Sequence, residues 1–207
     1  EVSERGGFNN IGDEIWFVDK VSAQRKDSSK IETIEPILDG GKIKSYKVTF
    51  NKPLPSSIQI DDFIENKTWT ASLILRNCQI LKRHRARGIL VTTPKKVLIE
   101  NNYFRTAGTA ILIEGDLDYW YESGGHKNLI IRNNEFDNCL SSGNAHGSRA
   151  EWGEAIITIT PSHKPKTVDE PSYHQNIQIV NNIFNVFDAP LLRAKSVDGL
   201  IFSNNKN

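Results

Sequence analysis

Apolar and polar residues alternate in short stretches through the second half of the chain. Five of these stretches align, each with apolar residues at its first and third positions and asparagine at its fifth. They are LILRNCQI (73–80), VLIENNYF (97–104), LIIRNNEF (129–136), IQIVNNIF (177–184) and LIFSNNKN (200–207). Alternation with a period of two is typical of β-strands and not of helices, so each stretch is predicted to contain a strand.

The five stretches recur at a regular interval. Successive fifth-position asparagines are separated by 24, 32, 48 and 23 residues, a base period of 23 to 24 residues with two longer intervals. Inside each period a second apolar stretch occurs: GILVTT (88–93), AILIEG (110–115), AIITIT (155–160) and PLLRAK (190–195). Short strands repeated in this way predict a right-handed parallel β-helix, in which equivalent strands stack about 4.8 Å apart.

Equivalent residues of such a stack form ladders. The apolar first positions are expected to line the interior, and the asparagines are expected to hydrogen-bond along the turn. These asparagines are Asn77, Asn101, Asn133, Asn181 and Asn204. A leucine-rich horseshoe also contains an asparagine ladder, but it requires an L-x-x-L-x-L spacing and helical segments, and no helical period is found here. The pattern therefore favours the β-helix.

The first 69 residues do not follow the repeat. Alternating stretches predict three strands there, at 13–21, 30–38 and 42–50. Asp39-Gly40-Gly41 is a favourable hairpin turn between the last two. The chain is thus predicted to be all-β, with a small antiparallel, barrel-like subdomain at residues 1–69 and parallel β-helix coils at residues 70–207.

The composition of the chain argues against several classes of partner and site. The 26 basic residues are balanced by 25 acidic ones, so the overall charge gives no reason to expect a nucleic acid or an anionic membrane as a partner. No apolar run approaches the roughly eighteen residues of a membrane-spanning helix. Two cysteines are too few for a disulfide framework or a zinc site, and the five histidines form no metal-binding motif. We therefore expect no metal site.

Three insertions lengthen the turns on either side of the second strand in the second and third coils. They comprise residues 115–127, 139–153 and 161–175. Because the coils of a β-helix stack directly on one another, loops that leave neighbouring coils at the same corner lie close together. Function is usually found where loops cluster on a rigid scaffold, so the insertions are predicted to form the walls of a cleft.

The predicted cleft combines carboxylates with aromatic rings. Its candidate residues are Asp116, Asp118, Trp120, Tyr121, Glu122 and His126 from the first insertion, Trp152 and Glu154 from the second, and Arg87 from the coil beneath. Aromatic rings stack on the apolar face of a sugar, charged groups bind its hydroxyls, and two carboxyls can divide acid and base catalysis. The cleft therefore indicates a carbohydrate site. Alternatively, the tryptophans cover the flank of the β-helix and the carboxylates are solvated surface charges.

Several stretches carry a resemblance to a known family. RHRARGILVTTPKKVLIENNYFRTAGTAILIEGDLDYWYESG (83–124), followed by EAIITITP and LLRAKSVDGLIFSNN, resembles the α-1,3-galactosidases of glycoside hydrolase family 110. The match covers roughly residues 69 to 207, and the first 70 residues resemble the barrel-type insertion of that family. The acids within the matching stretches are the catalytic candidates: Asp116, Asp118, Glu122 and Glu154. Arg87, Trp120, Tyr121, His126 and Trp152 are the substrate-binding candidates.

The resemblance implies an enzyme that removes terminal α-1,3-linked galactose from glycans, with inversion at the anomeric carbon. It implies no metal or organic cofactor and a secreted or periplasmic location. Family members are longer, with further β-helix coils before the barrel-like insertion. Those coils carry an Asp-Asp pattern followed by Asn and His, which this sequence lacks. Since the chain also begins at Glu1 and contains no methionine, we expect it to be a piece of a longer enzyme.

Two other functions are compatible with these residues. A polysaccharide lyase requires a basic residue that abstracts a proton and a cation that neutralises a uronate, roles open to Arg85, Arg87 and Lys164. Acids outnumber bases in the first insertion, which disfavours this function. A non-catalytic glycan-binding module would use the aromatic rings and Arg87, and not the acids. The products separate these functions, because a lyase releases an unsaturated, ultraviolet-absorbing sugar and a hydrolase releases galactose.

The hydrolase hypothesis predicts a particular distance between two carboxyl groups. Inversion requires two carboxyls about 6.5–9.5 Å apart, with room for a water molecule on the far face of the sugar. Asp116 or Asp118 on the first insertion and Glu154 on the next coil are expected to span this distance. Trp120 or Tyr121 is expected to stack on the terminal galactose, because both lie on an insertion that leaves a rigid strand.

Overall fold

The computed structural model of the protein describes residues 1–3, 9–81, 87–117, 120–122, 125–141, 154–161 and 171–207. Within these ranges all regular structure is β-strand. The same ranges contain no helix of the length and apolar character needed to cross a membrane. The chain divides into two compact units, Glu1–Thr70 and Ala71–Asn207. The all-β architecture predicted from the alternation of apolar residues is confirmed.

The first unit is an antiparallel sheet of five strands. These are β1 (Val2–Ser3), β2 (Glu14–Val18), β3 (Arg25–Asp39), β4 (Lys42–Phe50) and β5 (Phe63–Asn66), in the order β1-β4-β3-β2-β5. The long strand β3 pairs with β2 along its first half and with β4 along its second half. Gly40 and Gly41 form the predicted turn between β3 and β4, and both have the positive φ (57° and 81°) that a two-residue hairpin requires.

The second unit is a parallel β-helix whose strands form three sheets. The first sheet contains β6 (Leu73–Arg76), β9 (Val97–Glu100), β12 (Leu129–Arg132), β15 (His174–Val180) and β18 (Val197–Ser203). The second contains β7 (Gln79–Ile80), β10 (Tyr103–Phe104), β13 (Glu135–Asp137) and β16 (Ile183–Asn185). The third contains β8 (Ile89–Val91), β11 (Ile111–Ile113), β14 (Ile157–Ile159) and β17 (Leu192–Ala194).

The register of the first sheet matches the alignment of the sequence repeats. Successive partners in its strands are Leu73, Val97, Leu129, Ile177 and Leu200, the first residues of the five aligned stretches. All pairs between neighbouring coils are parallel. Each aligned stretch therefore begins one coil, and the predicted parallel β-helix is confirmed.

Residues that repeat in every coil fill the interior of the β-helix. The first- and third-position residues of the middle coils are fully buried: Val97, Ile99, Leu129, Ile131, Ile177 and Ile179. In the second sheet, the ring of Phe136 stacks between those of Phe104 and Phe184, with centroid separations of 5.1 and 4.8 Å. Each such aromatic pair adds about 0.5–1.5 kcal/mol beyond the burial of its area. The phenylalanine stack thus reinforces the register that the strands establish.

A ladder of asparagines closes the turn between the first and second sheets. Its members are Asn102, Asn134, Asn182 and Asn205. Asn134 Oδ1 accepts hydrogen bonds from the backbone N–H and the Nδ2 amide of Asn102, both 2.9 Å. Asn134 Nδ2 donates to Asn182 Oδ1 and to the carbonyl oxygen of Ile99, both 3.0 Å. The ladder lies one residue after the expected asparagines, so that part of the expectation was wrong.

The preceding asparagine of each coil makes the turn. Asn77, Asn101, Asn133, Asn181 and Asn204 all have φ between 54° and 58° and are exposed. Asparagine adopts this left-handed conformation more readily than other residues with a side chain, because its short polar side chain can bond locally. In the first coil the ladder position is occupied by Cys78, whose backbone N–H donates to Asn102 Oδ1 at 3.0 Å.

Replacement of Asn134 by alanine should destabilise the β-helix by about 3 kcal/mol. The change removes four side-chain hydrogen bonds and leaves buried groups of Asn102 and Ile99 without partners. Chemical denaturation followed by circular dichroism would measure the loss. Asn133→Gly is the matched control, because glycine also accepts a positive φ, and it should change stability by less than about 1 kcal/mol. Equal effects of the two substitutions would contradict a structural role for the ladder.

Candidate active site

The third sheet presents the candidate site on the face that points away from the core. Ile111 and Ile113 of β11 belong to the buried core, and Leu112 alternates with them on the outer face. Leu112 is nevertheless only 7% exposed, and its neighbour Thr158 on β14 only 4%. The outer face of this sheet is therefore shielded from solvent near Leu112. Glu114 occupies the next outward position along the chain.

The chain turns back on itself soon after β11. Asp116 and Glu122 are paired in an isolated antiparallel bridge, so the backbone returns past the point at which it left the third sheet. Residues directly opposite one another in such a pair have Cβ atoms about 4.5–5.5 Å apart on one face. The bridge therefore brings two of the predicted acids together, close to the end of the strand that precedes Glu114.

Arg87 is held next to these acids by a tight contact between coils. A Cβ atom at Gly88 would lie 2.5 Å from the carbonyl oxygen of Ala110, so no side chain fits at position 88. The backbone N–H of Gly88 donates to the Thr109 carbonyl oxygen (2.9 Å), and that of Ile89 donates to Ala110 (3.0 Å). These bonds fix the start of β8 against the start of β11. Arg87 immediately precedes this fixed point.

Charge and burial couple the four side chains, which we call the acid cluster: Arg87, Glu114, Asp116 and Glu122. Burial raises the pKa of the Glu114 carboxyl; the Arg87 guanidinium opposes this effect, and the negative charges of Asp116 and Glu122 add to it. Burial likewise raises the pKa of Glu122, with a further contribution from Asp116 and an opposing one from Arg87. Two carboxyls that resist ionisation beside a third carboxylate and a cation are suited to acid–base chemistry.

Glu114 was not among the residues predicted from the sequence. Its signal was its position in the stretch AILIEG (110–115), where it is the second outward residue after Leu112. Continued past Ile113, the alternation that predicts the strand places this glutamate on the outer side of the sheet. Glu114 lies just outside the insertions from which most of the site residues were predicted.

The other predicted carboxylate lies on the neighbouring coil. Glu154 precedes β14 and forms an ion pair with Arg193 of β17. Arg193 is the register partner of Thr158, so this ion pair lies on the outer side of the third sheet. The structure thus brings Asp116, Glu122 and Arg87 together with Glu114, and gives Glu154 a separate cationic partner. Asp118 and Trp152 lie outside the described residues and stay predictions.

The predicted substrate-binding residues of the first insertion differ in exposure. Trp120 is 71% exposed and Tyr121 is 39% exposed, so both present ring surface to solvent next to Glu122. His126 is fully buried. Its Nε2 lies 3.1 Å from the Val91 carbonyl oxygen, and its ring stacks on that of His174 with centroids 5.4 Å apart. The structure therefore gives His126 an interior position between coils.

Among the described residues, no three histidine, cysteine, aspartate or glutamate side chains are arranged to hold a metal ion. The carboxylates of the acid cluster share Arg87 as their cationic neighbour. Carboxyl groups in such a setting can transfer protons and form hydrogen bonds.

No protein-family model matches the chain, but curated proteins do. α-1,3-Galactosidase A of Bacteroides fragilis is 41% identical over 203 residues, which cover 96% of this chain and 31% of that protein. α-1,3-Galactosidase B of Bacteroides thetaiotaomicron is 38% identical over 205 residues, which cover 99% and 32%. α-1,3-Galactosidase B of Akkermansia muciniphila is 44% identical over 160 residues, which cover 77% and 19%.

The similarity extends over most of this chain and over a minor part of each relative. The chain spans 31% and 32% of the length of the two Bacteroides proteins, and the Akkermansia protein matches over 19% of its own length. The matched parts include the acid cluster in the two cases that cover at least 96% of the chain.

Substitutions around Glu114 and Glu122 should shift their pKa values in opposite directions. Arg87→Gln removes a positive charge and should raise both pKa values, because the ionised carboxylates lose a favourable neighbour. Asp116→Asn removes a negative charge and should lower both. Titration of the carboxyl carbons by nuclear magnetic resonance would measure the shifts. Arg132→Gln, which breaks an ion pair with Glu100 on the first sheet, is the control and should leave both unchanged.

Proposed function

We propose that this chain is part of an inverting exo-α-1,3-galactosidase of glycoside hydrolase family 110, which releases terminal galactose from glycans. Three proteins named for that activity are between 38% and 44% identical to the chain. We further propose that the chain is the C-terminal part of the β-helix of a longer enzyme. The share of each relative that it matches, about a third in two cases, supports a longer enzyme, and the C-terminal position is part of the proposal.

One observation carries the chemistry: Glu114 is a half-buried carboxyl whose pKa is raised by its surroundings. A glycosidase needs a carboxyl that is still protonated when substrate binds, because it must donate a proton to the glycosidic oxygen as the bond breaks. Burial favours the protonated form of Glu114 and so raises its pKa; the Arg87 charge opposes this effect, and the charges of Asp116 and Glu122 add to it. We therefore assign Glu114 as the general acid.

Inversion also needs a carboxylate that activates water from the opposite face of the sugar. Among the described residues, we assign this role to Glu154, an Arg193-paired carboxylate on the coil next to that of Glu114, although the two residues flank opposite ends of the paired strands β11 and β14. In the proposed reaction Glu154 takes a proton from water while Glu114 gives one to the leaving glycan. Asp116 and Glu122 then bind sugar hydroxyls, and Arg87 balances their charge.

We propose that Trp120 supplies the platform on which the galactose ring stacks. Its side chain is largely exposed and lies two residues from Glu122, so a sugar stacked on it can reach the acid cluster. Aromatic rings bind sugars at low entropic cost, because only two torsion angles must be fixed. An enzyme that trims terminal galactose from glycans meets its substrate outside the cytoplasm, so we propose a secreted or periplasmic location.

Glu114→Gln should lower the turnover of an α-1,3-galactosyl disaccharide by about 10²- to 10⁴-fold, the usual contribution of a general acid. The assay should use the complete natural protein that contains this chain and detect free galactose. Glu100→Gln is the control, because Glu100 is ion-paired with Arg132 on the first sheet, and its turnover should be unchanged. Full activity of the Glu114→Gln protein would refute the assignment, and an unsaturated product would favour a lyase.

The same substitution should stabilise the fold near pH 7. The raised pKa means that the folded state favours the protonated carboxyl. The contribution of Glu114 to stability is therefore complete below its ordinary pKa of 4.5 and is lost as the pH rises through the raised value. Glutamine mimics the protonated form, so Glu114→Gln should raise the Tm at pH 7 and leave it nearly unchanged at pH 4. Equal Tm differences at the two pH values would contradict burial as the cause.

Trp120→Ala should weaken galactoside binding by roughly 1–3 kcal/mol, as expected for an aromatic hot spot, and change folding stability little. Isothermal titration with a non-hydrolysed galactoside would measure the affinity. Trp69→Ala is a matched control, because Trp69 is 69% exposed and belongs to the first unit. If Trp120→Ala unfolds the protein while binding per folded molecule is unchanged, the ring belongs to the core and the platform proposal fails.

A further inference from the structure

A groove of about 550 Å³, lined mainly by residues with carboxamide side chains, follows the turn between the first and second sheets of the β-helix. It crosses four coils and is lined by Asn77, Cys78, Gln79, Asn101, Asn102, Tyr103, Asn133, Asn134, Glu135, Asn181 and Ile183. The acid cluster lies at a different corner, where the chain leaves the third sheet after β11. The groove is therefore a separate surface, and the proposed hydrolysis makes no use of it.

The groove has two walls and a floor, each formed by equivalent residues of successive coils. One wall is the row of outer asparagines, Asn77, Asn101, Asn133 and Asn181. The other is the row of residues that begin the second-sheet strands, Gln79, Tyr103, Glu135 and Ile183, which are register partners. The ladder residues between the two rows form the floor. Contacts on either wall thus repeat at the strand spacing of about 4.8 Å, close to the length of one sugar ring.

The asparagine wall has unused hydrogen-bonding capacity. In the described part of the chain, the side-chain amides of its four members make no hydrogen bond to protein groups, whereas every ladder asparagine does. Each carboxamide offers two donors and one acceptor oxygen. A row of four such groups in register can bind a ligand that presents donors and acceptors at a similar interval.

The positive φ of these turn positions does not by itself require asparagine. Glycine adopts a positive φ at least as readily as asparagine, and the chain uses glycine at positive φ elsewhere, at Gly125 and Gly199. All five equivalent turn positions nevertheless carry asparagine. The turn conformation therefore does not by itself explain why asparagine occupies all five positions.

Among the described residues, no insertion interrupts the groove along its length. Every coil passes from the first to the second sheet through two residues: 77–78, 101–102, 133–134 and 181–182. The three insertions leave the chain at other corners. A linear ligand can therefore lie along the groove without meeting a loop at this turn.

The lining chemistry selects an uncharged ligand. It consists mainly of amides, with one tyrosine, one isoleucine and a single carboxylate, Glu135, which accepts a hydrogen bond from Asn185 at 2.8 Å. The lining contains no lysine or arginine that would attract a polyanion. We propose that the groove binds an extended, neutral oligosaccharide, whose hydroxyl and acetamido groups pair with the asparagine wall. This proposal does not require the acid cluster to be catalytic.

The test is binding of a neutral hexasaccharide of alternating galactose and N-acetylglucosamine, which lacks the terminal α-galactose proposed for the acid cluster. In two-dimensional nuclear magnetic resonance spectra of the full chain, it should perturb the side-chain amide signals of Asn101 and Asn133. The double variant Asn101→Gly/Asn133→Gly preserves the turns and should bind about ten-fold more weakly, the loss expected for one to two hydrogen bonds. Cleavage of a small chromogenic α-galactoside by the complete protein should not change.

Asn176→Gly is the control for this variant, because Asn176 also has a positive φ (53°) but lies outside the groove. It should bind the hexasaccharide as the unmodified chain does, and both variants should keep a Tm close to that of the unmodified chain. Unchanged affinity in the double variant, or perturbations confined to the neighbourhood of Trp120, would overturn the proposal. If the complete protein shows no galactosidase activity while the hexasaccharide binds the groove and the double variant weakens that binding, only the proposed hydrolysis is refuted.

Discussion

Buried carboxamides at the turn between the first and second sheets tie each coil of the β-helix to the next. An amide without a partner in this setting costs about 1–3 kcal/mol, and Asn134 has all of its side-chain donors and acceptors occupied by groups on the two neighbouring coils. A slip of one residue between coils would break these bonds and turn the apolar residues of a strand outward. The position of every loop, and hence of the acid cluster, follows from this register.

Burial and proximity give the acid cluster its chemistry, and both derive from the scaffold. Glu114 lies at the outer side of a strand whose neighbours are fixed by backbone pairing, and the Asp116–Glu122 bridge returns the chain to the same place. Gly88 lets two coils approach closely enough to place Arg87 there. Three carboxyls beside one cation could not be held together on a flexible loop without large repulsion. The stack therefore accommodates two carboxyls, Glu114 and Glu122, whose ionisation is disfavoured by burial.

Alternation of apolar residues was sufficient to predict the strands and the parallel stack, because register in a β-helix is set by repeats visible in the chain itself. The same repeats could not distinguish the two adjacent asparagines of each coil. Both recur with one period, and only backbone conformation separates Asn133, which makes the turn, from Asn134, which makes the ladder. Glu114 was missed for a related reason: it follows directly after a strand, but its environment is created by a chain reversal that no periodicity encodes.

The ladder also has a direction. Asn102 donates to Asn134, Asn134 to Asn182 and Asn182 to Asn205, so the four carboxamide dipoles point the same way along the β-helix. Hydrogen bonds in such a chain polarise one another, and each additional member strengthens those already present. Each asparagine in the middle of the ladder therefore contributes more to stability than one at either end. Cys78, which has no carboxamide, ends this polarisation at the first coil, so cohesion between coils should increase from that end towards the centre of the stack.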